Sequence, residues 1–294
     1  MRGRVPGRSV EGVTTLLTPG QGAQAPGLLV PWLTAPGAVT AVERWSARTG
    51  LDLLGLGTTA PADVLRQTDV AQPVLTAAAL LSGRTLDAPT LVCGHSVGEL
   101  AALALAGVLD DDEAVALAAV RGRLMADAAR LRPTGMAAVL GEVPSAEEVA
   151  AAGLELATVN APGQVVLGGP VEALDAYAPS GRARLRRLEV AAAFHTSAMA
   201  PARDALAAHV AGLAPGEAVC PVVANADGAV LTDGRALLDR LADQLVRPVR
   251  FDLCLAALPD GPVVELAPSG VLTGLVRRAR PDLAVEGVRA PVPA

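Results

Sequence analysis

The segment from residue 90 to residue 109 constrains the fold more than any other part of this sequence. Its first residues, TLVC at 90–93, have the length and composition of a short buried strand, and GHSVG follows at 94–98. The next stretch, GELAALALAGVL at 98–109, is apolar on nearly every side, which predicts a buried helix. A strand that turns through Gly-x-Ser-x-Gly into a helix is typical of a nucleophile elbow, which raises a serine hydroxyl above a sheet. Ser96 is therefore either a nucleophile or an ordinary helix-capping serine.

Predicted strands and helices alternate along most of the chain, which indicates a parallel sheet covered by helices on both faces. The chain's 294 residues, of which 51% are hydrophobic, suffice for one large domain with a smaller insertion. The elements predicted for the main sheet are strands at 13–18, 90–93, 220–224 and 262–267 and helices at 38–48, 73–83, 98–109, 110–132, 196–212 and 234–246.

The pattern changes between residues 134 and 192, where the order becomes β-α-β-β-α-β. The predicted strands are at 135–140, 154–160, 164–169 and 183–191, and the helices at 145–153 and 170–178. This is the order of a ferredoxin-like unit. We therefore predict an α/β fold in which a hydrolase-like catalytic domain with a mostly parallel sheet, residues 1–133 and 193–294, carries an inserted ferredoxin-like α+β subdomain, residues 134–192.

Charge, hydropathy and cysteine content exclude several classes of protein. The net charge of −6 argues against a nucleic-acid binder, which needs a broad basic surface. No apolar run approaches the roughly 18 residues of a membrane span, and no signal-type apolar stretch follows the basic first residues. The three cysteines are scattered at Cys93, Cys220 and Cys254, without disulfide or metal-site spacing. We expect a cytoplasmic protein without a metal site.

A nucleophilic serine needs a base, and the chain has three histidines. His95 adjoins Ser96, so its side chain should point away from that of its neighbour. His209 sits mid-helix in ALAAHVAGL, which is typical of a surface or packing residue. His195 ends the apolar stretch AAAF just before a predicted helix, where a loop reaches the sheet edge. By elimination His195 is the candidate base, and its alternative role is that of a capping or core histidine.

Arg121 belongs to the apolar face of its predicted helix, whereas Arg123 and Arg130 do not. An arginine that faces the interior needs an anionic partner. Guanidinium and carboxylate form a bidentate pair, so a substrate carboxylate is one candidate and an internal salt bridge, for instance to Glu99, is the other. The residues that define this face, with i, i+3, i+4 and i+7 spacing, are Leu117, Val120, Leu124, Met125 and Ala128.

The loop TPGQGAQ at 18–24 follows the first predicted strand. Glycines flank Gln21 and free its backbone N–H to face a ligand. An oxyanion hole in an elbow fold uses the N–H of the residue after the nucleophile and one from an earlier strand–loop junction. Val97 and Gln21 would supply these two donors. A phosphate-binding loop is excluded because no Gly-Lys-Ser/Thr follows.

Together these segments resemble the malonyl-CoA:acyl carrier protein transacylase family. Each match is modestly specific, whereas the ordered set along the chain is highly specific. The matching segments are PGQGAQ, TDVAQPVLTAA, GHSVGEL, VRGRLM, GMAAVLG, VNAPGQVVLGG, AAFHTSAM, QLVRPVRFD and ELAPSGVLTGL. The family fold, a hydrolase-like domain with a ferredoxin-like insertion, agrees with the order of elements predicted above.

The resemblance implies catalytic roles for several residues. Ser96 would be acylated and His195 would be its base. The family has no triad aspartate, and the backbone carbonyl that orients the imidazole falls at Gln244. Arg121 would bind the free carboxylate of the malonyl group, and the amides of Gln21 and Val97 would form the oxyanion hole.

Three further residues are implied to line the pocket. Gln72, in AQP, would lie near the arginine, and Asn160 matches a recurrent family asparagine but is equally explained as a turn residue. Related acyltransferase domains of polyketide synthases tend to carry His-Ala-Phe-His for malonyl and Tyr-Ala-Ser-His for methylmalonyl. Here Ala192-Ala193-Phe194-His195 stands at that place, so Phe194 would narrow the space beside C2 and favour malonyl.

The implied activity is ping-pong transfer of malonyl from malonyl-CoA, through Ser96, to the phosphopantetheine thiol of an acyl carrier protein for fatty-acid synthesis. No bound cofactor is implied, because the coenzyme A thioester is a substrate. The alternatives are a discrete malonyl acyltransferase serving a polyketide synthase, a serine thioesterase or hydrolase, and a non-catalytic docking module. We expect the protein to be a monomer. We also expect an acidic carrier protein to dock on its basic clusters, which are formed by Arg182, Arg184, Arg186, Arg187, Arg247, Arg250, Arg277, Arg278 and Arg280.

Overall fold

The computed structural model describes residues 14–291 as two β-sheets with helices packed against them. The strands are β1 Thr15–Thr18, β2 Leu91–Gly94, β3 Thr134–Leu140, β4 Glu155–Ala161, β5 Gln164–Pro170, β6 Arg184–Arg187, β7 Val222–Val223, β8 Val230–Leu231, β9 Val249–Arg250, β10 Val263–Glu265 and β11 Val285–Gly287. The helices are α1 Ala38–Thr49, α2 Leu53–Thr58, α3 Ala62–Leu65, α4 Thr68–Gly83, α5 Gly98–Leu105, α6 Asp111–Ala129, α7 Ala146–Ala151, α8 Val171–Ala176, α9 Ala200–Ala211, α10 Gly234–Asp243, α11 Phe251–Ala256 and α12 Val271–Ala279. Short 3-10 turns lie at Val30–Thr34, Ser197–Met199 and Gln244–Val246.

The larger sheet has the strand order β11-β10-β1-β2-β7-β8. Its pairs are parallel except for the antiparallel β7–β8 pair. In the central pair, Thr18 at the end of β1 lies opposite Gly94 at the end of β2. The loops that follow both strands therefore leave the sheet at one edge, which is where parallel α/β sheets bind their ligands.

The smaller sheet has the order β6-β3-β5-β4-β9. Its first four strands pair antiparallel in the ferredoxin-like order, and β9, from the later part of the chain, adds parallel to β4. The predicted fold class, a mostly parallel α/β sheet with a ferredoxin-like insertion, is confirmed. The domain boundaries at 133/134 and 192/193 remain a prediction. Residues 1–13 and 292–294 of the predicted catalytic domain, including the first residue of the strand predicted at 13–18, lie outside the described residues.

Helix α5 is buried along its whole length, as its apolar sequence predicts. It packs beside α4 and α6 under the carboxyl edge of the larger sheet, within a core built largely of alanine, leucine and valine. Helix α6 begins at a capping box in which Asp110 accepts from the Glu113 backbone N–H and Glu113 reaches back to the Asp110 N–H. Within residues 14–291, no helix has both the length and the apolar character that a membrane crossing requires.

Several elements differ from their predicted bounds. Helix α4 begins at Thr68 rather than at 73, so Pro73 lies inside it and not at its start. All of its residues except Asp69 are buried, so tertiary packing outweighs the local cost of the proline. Strands β8, β9 and β11 have only two or three residues each and were not predicted, because such short segments carry no periodicity.

Candidate active site

Ser96 occupies a sharp turn between β2 and α5. Its φ is +54°, a left-handed conformation that non-glycine residues rarely adopt. The flanking glycines are required because a Cβ on Gly94 would overlap the Glu99 backbone and one on Gly98 would overlap the Thr18 carbonyl. The turn is held by Asn225, whose Oδ1 accepts from the Ser96 backbone N–H (2.8 Å) and whose Nδ2 donates to the Gly94 carbonyl (2.6 Å). The predicted elbow is therefore present.

His195 faces the serine, as predicted. Its Nε2 lies 2.8 Å from Ser96 Oγ, and its Nδ1 lies 2.8 Å from the backbone carbonyl of Gln244. Because a carbonyl can only accept, Nδ1 carries the proton and Nε2 is left to accept the serine proton. His195 also has a positive φ of +62°, so strained backbone holds both members of the pair.

Burial, followed by the nearby positive charge of Arg121, lowers the pKa of His195 to about 3. The imidazole is therefore neutral at physiological pH and available as an acceptor. The other two histidines are arranged differently. The Nε2–H of His95 donates to Oδ1 of Asn160 (2.9 Å), and burial lowers the His95 pKa, whereas His209 is exposed on α9.

Arg121 is fully buried on α6, and its guanidinium points at the serine. One terminal nitrogen, Nη1, donates to Oε1 of Gln72 (2.7 Å); the other, Nη2, donates to Oε1 of Gln244 (2.7 Å) and lies 3.4 Å from Ser96 Oγ. No direct ion pair joins Arg121 to Glu99, so the internal salt bridge considered as an alternative from the sequence is not formed. The two charges are instead connected through the amide of Gln244, whose Nε2 donates to Glu99 (2.6 Å).

The Gln21 and Val97 residues line the same cavity as Ser96. Within residues 14–291, neither backbone N–H donates a hydrogen bond to a protein atom. The approach of the Gln21 loop to the elbow is close, since a Cβ on Gly20 would lie 2.6 Å from the His95 carbonyl oxygen. Two free amide donors beside a serine hydroxyl are the elements of an oxyanion hole.

The cavity encloses about 190 Å³, enough for a small acyl group. Phe194 and Met136 form part of its apolar wall, and Gln72 and Asn160 contribute polar atoms. The Oδ1 of Asn160 accepts the hydrogen bond from His95, so its Nδ2 hydrogens remain for a ligand. Eight of the nine sequence-predicted site residues line this cavity. The ninth, Gln244, contacts two of them, Arg121 through its side chain and His195 through its backbone carbonyl.

Sequence analysis missed Asn225 and the involvement of Glu99 with Gln244. Asn225 lies two residues beyond the end of β7, at the same edge of the sheet as Thr18 and Gly94, and this position close behind a strand was the available signal. The Glu99 carboxylate, in the first turn of α5, accepts from the Asn225 backbone N–H (3.0 Å) as well as from Gln244. Its burial raises its pKa to about 7.

The described part of the chain holds no group of three or more His, Cys, Asp and Glu side chains arranged to bind a metal ion. The three cysteines are buried and free of disulfide bonds. The chemistry that this arrangement supports is attack by an activated serine on a carbonyl compound bearing a nearby anion.

Comparisons with known proteins agree on one family. The family model described as "Acyl transferase domain" matches residues 15–288. A malonyl CoA-acyl carrier protein transacylase of Mycobacterium tuberculosis is 44% identical, with 94% of this chain and 96% of the relative covered. The crystal structure of a Mycobacterium tuberculosis MCAT superposes with a TM-score of 0.90 at 42% identity, covering 95% and 97% of the two chains. A complex of a type II polyketide synthase acyl-carrier protein with its malonyl-transacylase gives a TM-score of 0.85 at 30% identity, covering 95% of this chain and 96% of the other.

Proposed function

This chain belongs to the acyl transferase domain family, and from that premise we propose that it moves a malonyl group from malonyl-CoA to the phosphopantetheine thiol of an acyl carrier protein. One observation carries the choice of substrate. A buried guanidinium, that of Arg121, lies 3.4 Å from the hydroxyl of Ser96 in a cavity the size of a small acyl group. An acyl group that reacts at Ser96 and ends in a carboxylate would contact both the serine hydroxyl and the guanidinium.

Acylation begins when the malonyl carboxylate pairs with Arg121 and the thioester carbonyl carbon lies against Ser96 Oγ. His195 Nε2 takes the serine proton as Oγ bonds to the carbonyl carbon. The oxyanion is held by the amides of Gln21 and Val97. When the C–S bond breaks, the thiolate of coenzyme A takes the proton from His195, and malonyl remains as an ester on Ser96.

Transfer to the carrier protein reverses these roles. His195 removes the proton of the phosphopantetheine thiol, and its sulfur attacks the ester carbon. The tetrahedral intermediate again uses the two backbone donors. The C–O bond breaks, and Ser96 Oγ leaves with the proton from His195. This sequence requires no cofactor bound to the protein, since the coenzyme A thioester and the phosphopantetheine thiol are substrates.

The charge of Arg121 couples substrate binding to the strength of the base. In the free protein this charge helps to lower the pKa of His195. A malonyl carboxylate paired with the guanidinium neutralises it and so raises the pKa of His195 towards its ordinary value. The base is therefore stronger with a dicarboxylic acyl group than with acetyl.

Malonyl is favoured over methylmalonyl by the apolar wall around C2. Phe194 is almost fully buried and lines the cavity immediately before the catalytic histidine. An extra methyl at C2 would have to displace its ring. We assign Phe194 to this selectivity and Gln72 to the positioning of Arg121, to which it is hydrogen-bonded.

The carrier protein is proposed to be acidic and to dock on arginines that lack an acidic partner. Of the basic clusters predicted from the sequence, Arg187, Arg247, Arg250 and Arg280 are in ion pairs with aspartates. Within residues 14–291, the guanidinium groups of Arg182, Arg184, Arg186, Arg277 and Arg278 form no ion pair with a carboxylate. Arg278 is hydrogen-bonded to Gln164, which lines the cavity, so we propose this arginine as the docking residue nearest the site.

Fatty-acid synthesis in the cytoplasm is the proposed setting, with the protein acting as a monomer. A second pathway is favoured by one observation, the likeness to a malonyl-transacylase that is bound to a type II polyketide synthase acyl-carrier protein. The chemistry at Ser96 is the same in both, so the two settings differ in the carrier protein that accepts the malonyl group.

The proposal is tested by exposing the protein to malonyl-CoA and measuring its intact mass. We expect one malonyl adduct, absent in Ser96→Ala, that moves to a phosphopantetheinylated carrier protein when this is added. Free malonate formed equally fast with and without the carrier protein would instead indicate a hydrolase. No adduct at all would indicate a non-catalytic docking role.

A further inference from the structure

Glu99 is a buried carboxylate that the mechanism above does not use. It lies on α5, three residues after Ser96, with only 4% of its surface exposed. Its oxygens accept hydrogen bonds from the backbone N–H of Asn225 (3.0 Å) and from Nε2 of Gln244 (2.6 Å). A buried carboxylate is costly, so its retention beside the reacting atoms calls for a function.

The hydrogen bonds around Gln244 have a fixed direction. Its Nε2 faces three acceptors: the Glu99 carboxylate (2.6 Å), Asn225 Oδ1 (3.2 Å) and the Ser96 carbonyl (3.3 Å). Its Oε1 is thereby turned to the other side, where it accepts from Nη2 of Arg121 (2.7 Å). Since a guanidinium can only donate, the amide suits Arg121 in this orientation alone.

We propose that Glu99 is a positioning residue for recognition of the substrate carboxylate, because its acceptor-only carboxylate orients the Gln244 amide that holds Arg121. This inference rests on the proposed function and identifies how the selectivity for a dicarboxylic acyl group is built. The backbone carbonyl of Gln244 orients His195 independently of the side chain. Glu99 therefore acts on the choice of acyl group more than on the Ser96–His195 chemistry.

The charge of Glu99 serves the same end. Among residues 14–291, no carboxylate forms a direct ion pair with the buried Arg121, and Glu99 is the negative charge that faces it across one amide. The other charged group that faces Glu99 is Arg240 of α10, which is itself paired with Asp227. Removing the negative charge at position 99 leaves the guanidinium uncompensated as well as misaligned.

The test compares acylation of Ser96 by malonyl-CoA and by acetyl-CoA in Glu99→Gln. A glutamine at 99 can still accept from the Asn225 N–H, but its NH₂ then faces Gln244 and forces that amide to turn its own donor towards Arg121. We expect the malonyl-to-acetyl ratio of kcat/KM to fall by about tenfold or more, the effect of one lost hydrogen bond to a charged group. An unchanged ratio would overturn the proposal.

Glu265→Gln is the matched control. Glu265 is equally buried but accepts only from the backbone amides that begin α12, so its loss should cost stability without changing the ratio. A uniform fall in both acylation rates in Glu99→Gln would indicate a merely structural role.

A second measurement needs no variant, in case Glu99→Gln does not fold. A protonated Glu99 carboxyl carries an O–H donor, as the NH₂ group of the Glu99→Gln side chain does. Burial raises the pKa of Glu99 to about 7, so this protonation occurs near neutral pH. The malonyl-to-acetyl ratio of the native protein should therefore fall as the pH drops from 8 to 6, and should stay constant in Arg121→Ala. A ratio independent of pH in the native protein contradicts the inference. Failure of the native protein to accept malonyl at all would contradict the proposed function instead.

Discussion

The guanidinium of Arg121 and the hydroxyl of Ser96 lie 3.4 Å apart, although Arg121 is on helix α6 and Ser96 is in the turn before α5. The contact joins a fixed positive charge to the proposed nucleophile inside one cavity. We propose that this arrangement lets the site select an acyl group by its carboxylate end while the carbonyl end reacts at Ser96.

Replacing Arg121 with alanine should remove this selection. Deleting one partner of a hydrogen-bonded pair of buried charges costs about 3–5 kcal/mol, so kcat/KM for malonyl-CoA should fall by about 10²–10⁴. Acetyl-CoA, which has no carboxylate, should lose far less. Competition between the two thioesters for acyl-enzyme formation measures this, with Arg123→Ala on the other face of α6 as the control. Equal losses for both substrates would contradict the clamp.

Replacing Phe194 with serine should admit a bulkier acyl group. The ring lies in the cavity wall, and space for one methyl group is worth about 1–3 kcal/mol in an apolar pocket. We expect methylmalonyl-CoA to gain about tenfold or more against malonyl-CoA in a competition assay. A ratio that does not move would show that the ring does not limit C2 substituents.

The pH dependence of acylation by acetyl-CoA should report His195. An ordinary histidine would be protonated, and thus lost as a base, below about pH 6.5. Because burial and Arg121 lower the pKa of His195 to about 3, kcat/KM for acetyl-CoA should have no acidic limb near 6.5. In Arg121→Ala the fall in kcat/KM should begin at a higher pH, since one cause of the lowered His195 pKa is gone. A fall in kcat/KM below about pH 6.5 in the native protein would contradict a lowered pKa for His195.

Asn225→Ala should destabilise the elbow. The side chain accepts from the Ser96 N–H and donates to the buried Gly94 carbonyl, and its loss leaves both without that partner. We expect the free energy of unfolding in urea to fall by about 2–4 kcal/mol, together with a loss of acylation. Asn160→Ala, which removes the chain's other asparagine, should cost much less stability because its one hydrogen bond is only partly buried.

Transfer to the carrier protein should depend on salt more steeply than acylation by malonyl-CoA. Exposed charges are screened beyond about 8–10 Å at ordinary ionic strength, which weakens docking of an acidic protein on unpaired arginines. Raising the salt should slow the transfer step, and Arg278→Ala should reduce that dependence relative to Arg44→Ala, whose arginine is already paired with Asp112. The same salt dependence for both half-reactions would argue against this docking surface.

The sequence by itself determined the fold class and the residues that we propose to carry the chemistry. The elbow could be identified because a strand, two glycines and a buried helix adjoin in the chain, so the pattern is local. Arg121 could be placed inside because helical spacing shows which face is apolar. His195 followed from the small number of histidines, and the family resemblance supplied the role of the Gln244 carbonyl.

The tertiary structure alone decided how these residues are held. Asn225 lies 129 residues from the Ser96 amide that it binds, and Gln244 lies 145 residues from Glu99. Such contacts depend on the strand order of the sheet and on the direction in which each amide is turned, and no local periodicity encodes either one. The sequence could therefore present Glu99 and Arg121 as a possible ion pair, whereas only the packed site shows the glutamine that stands between them.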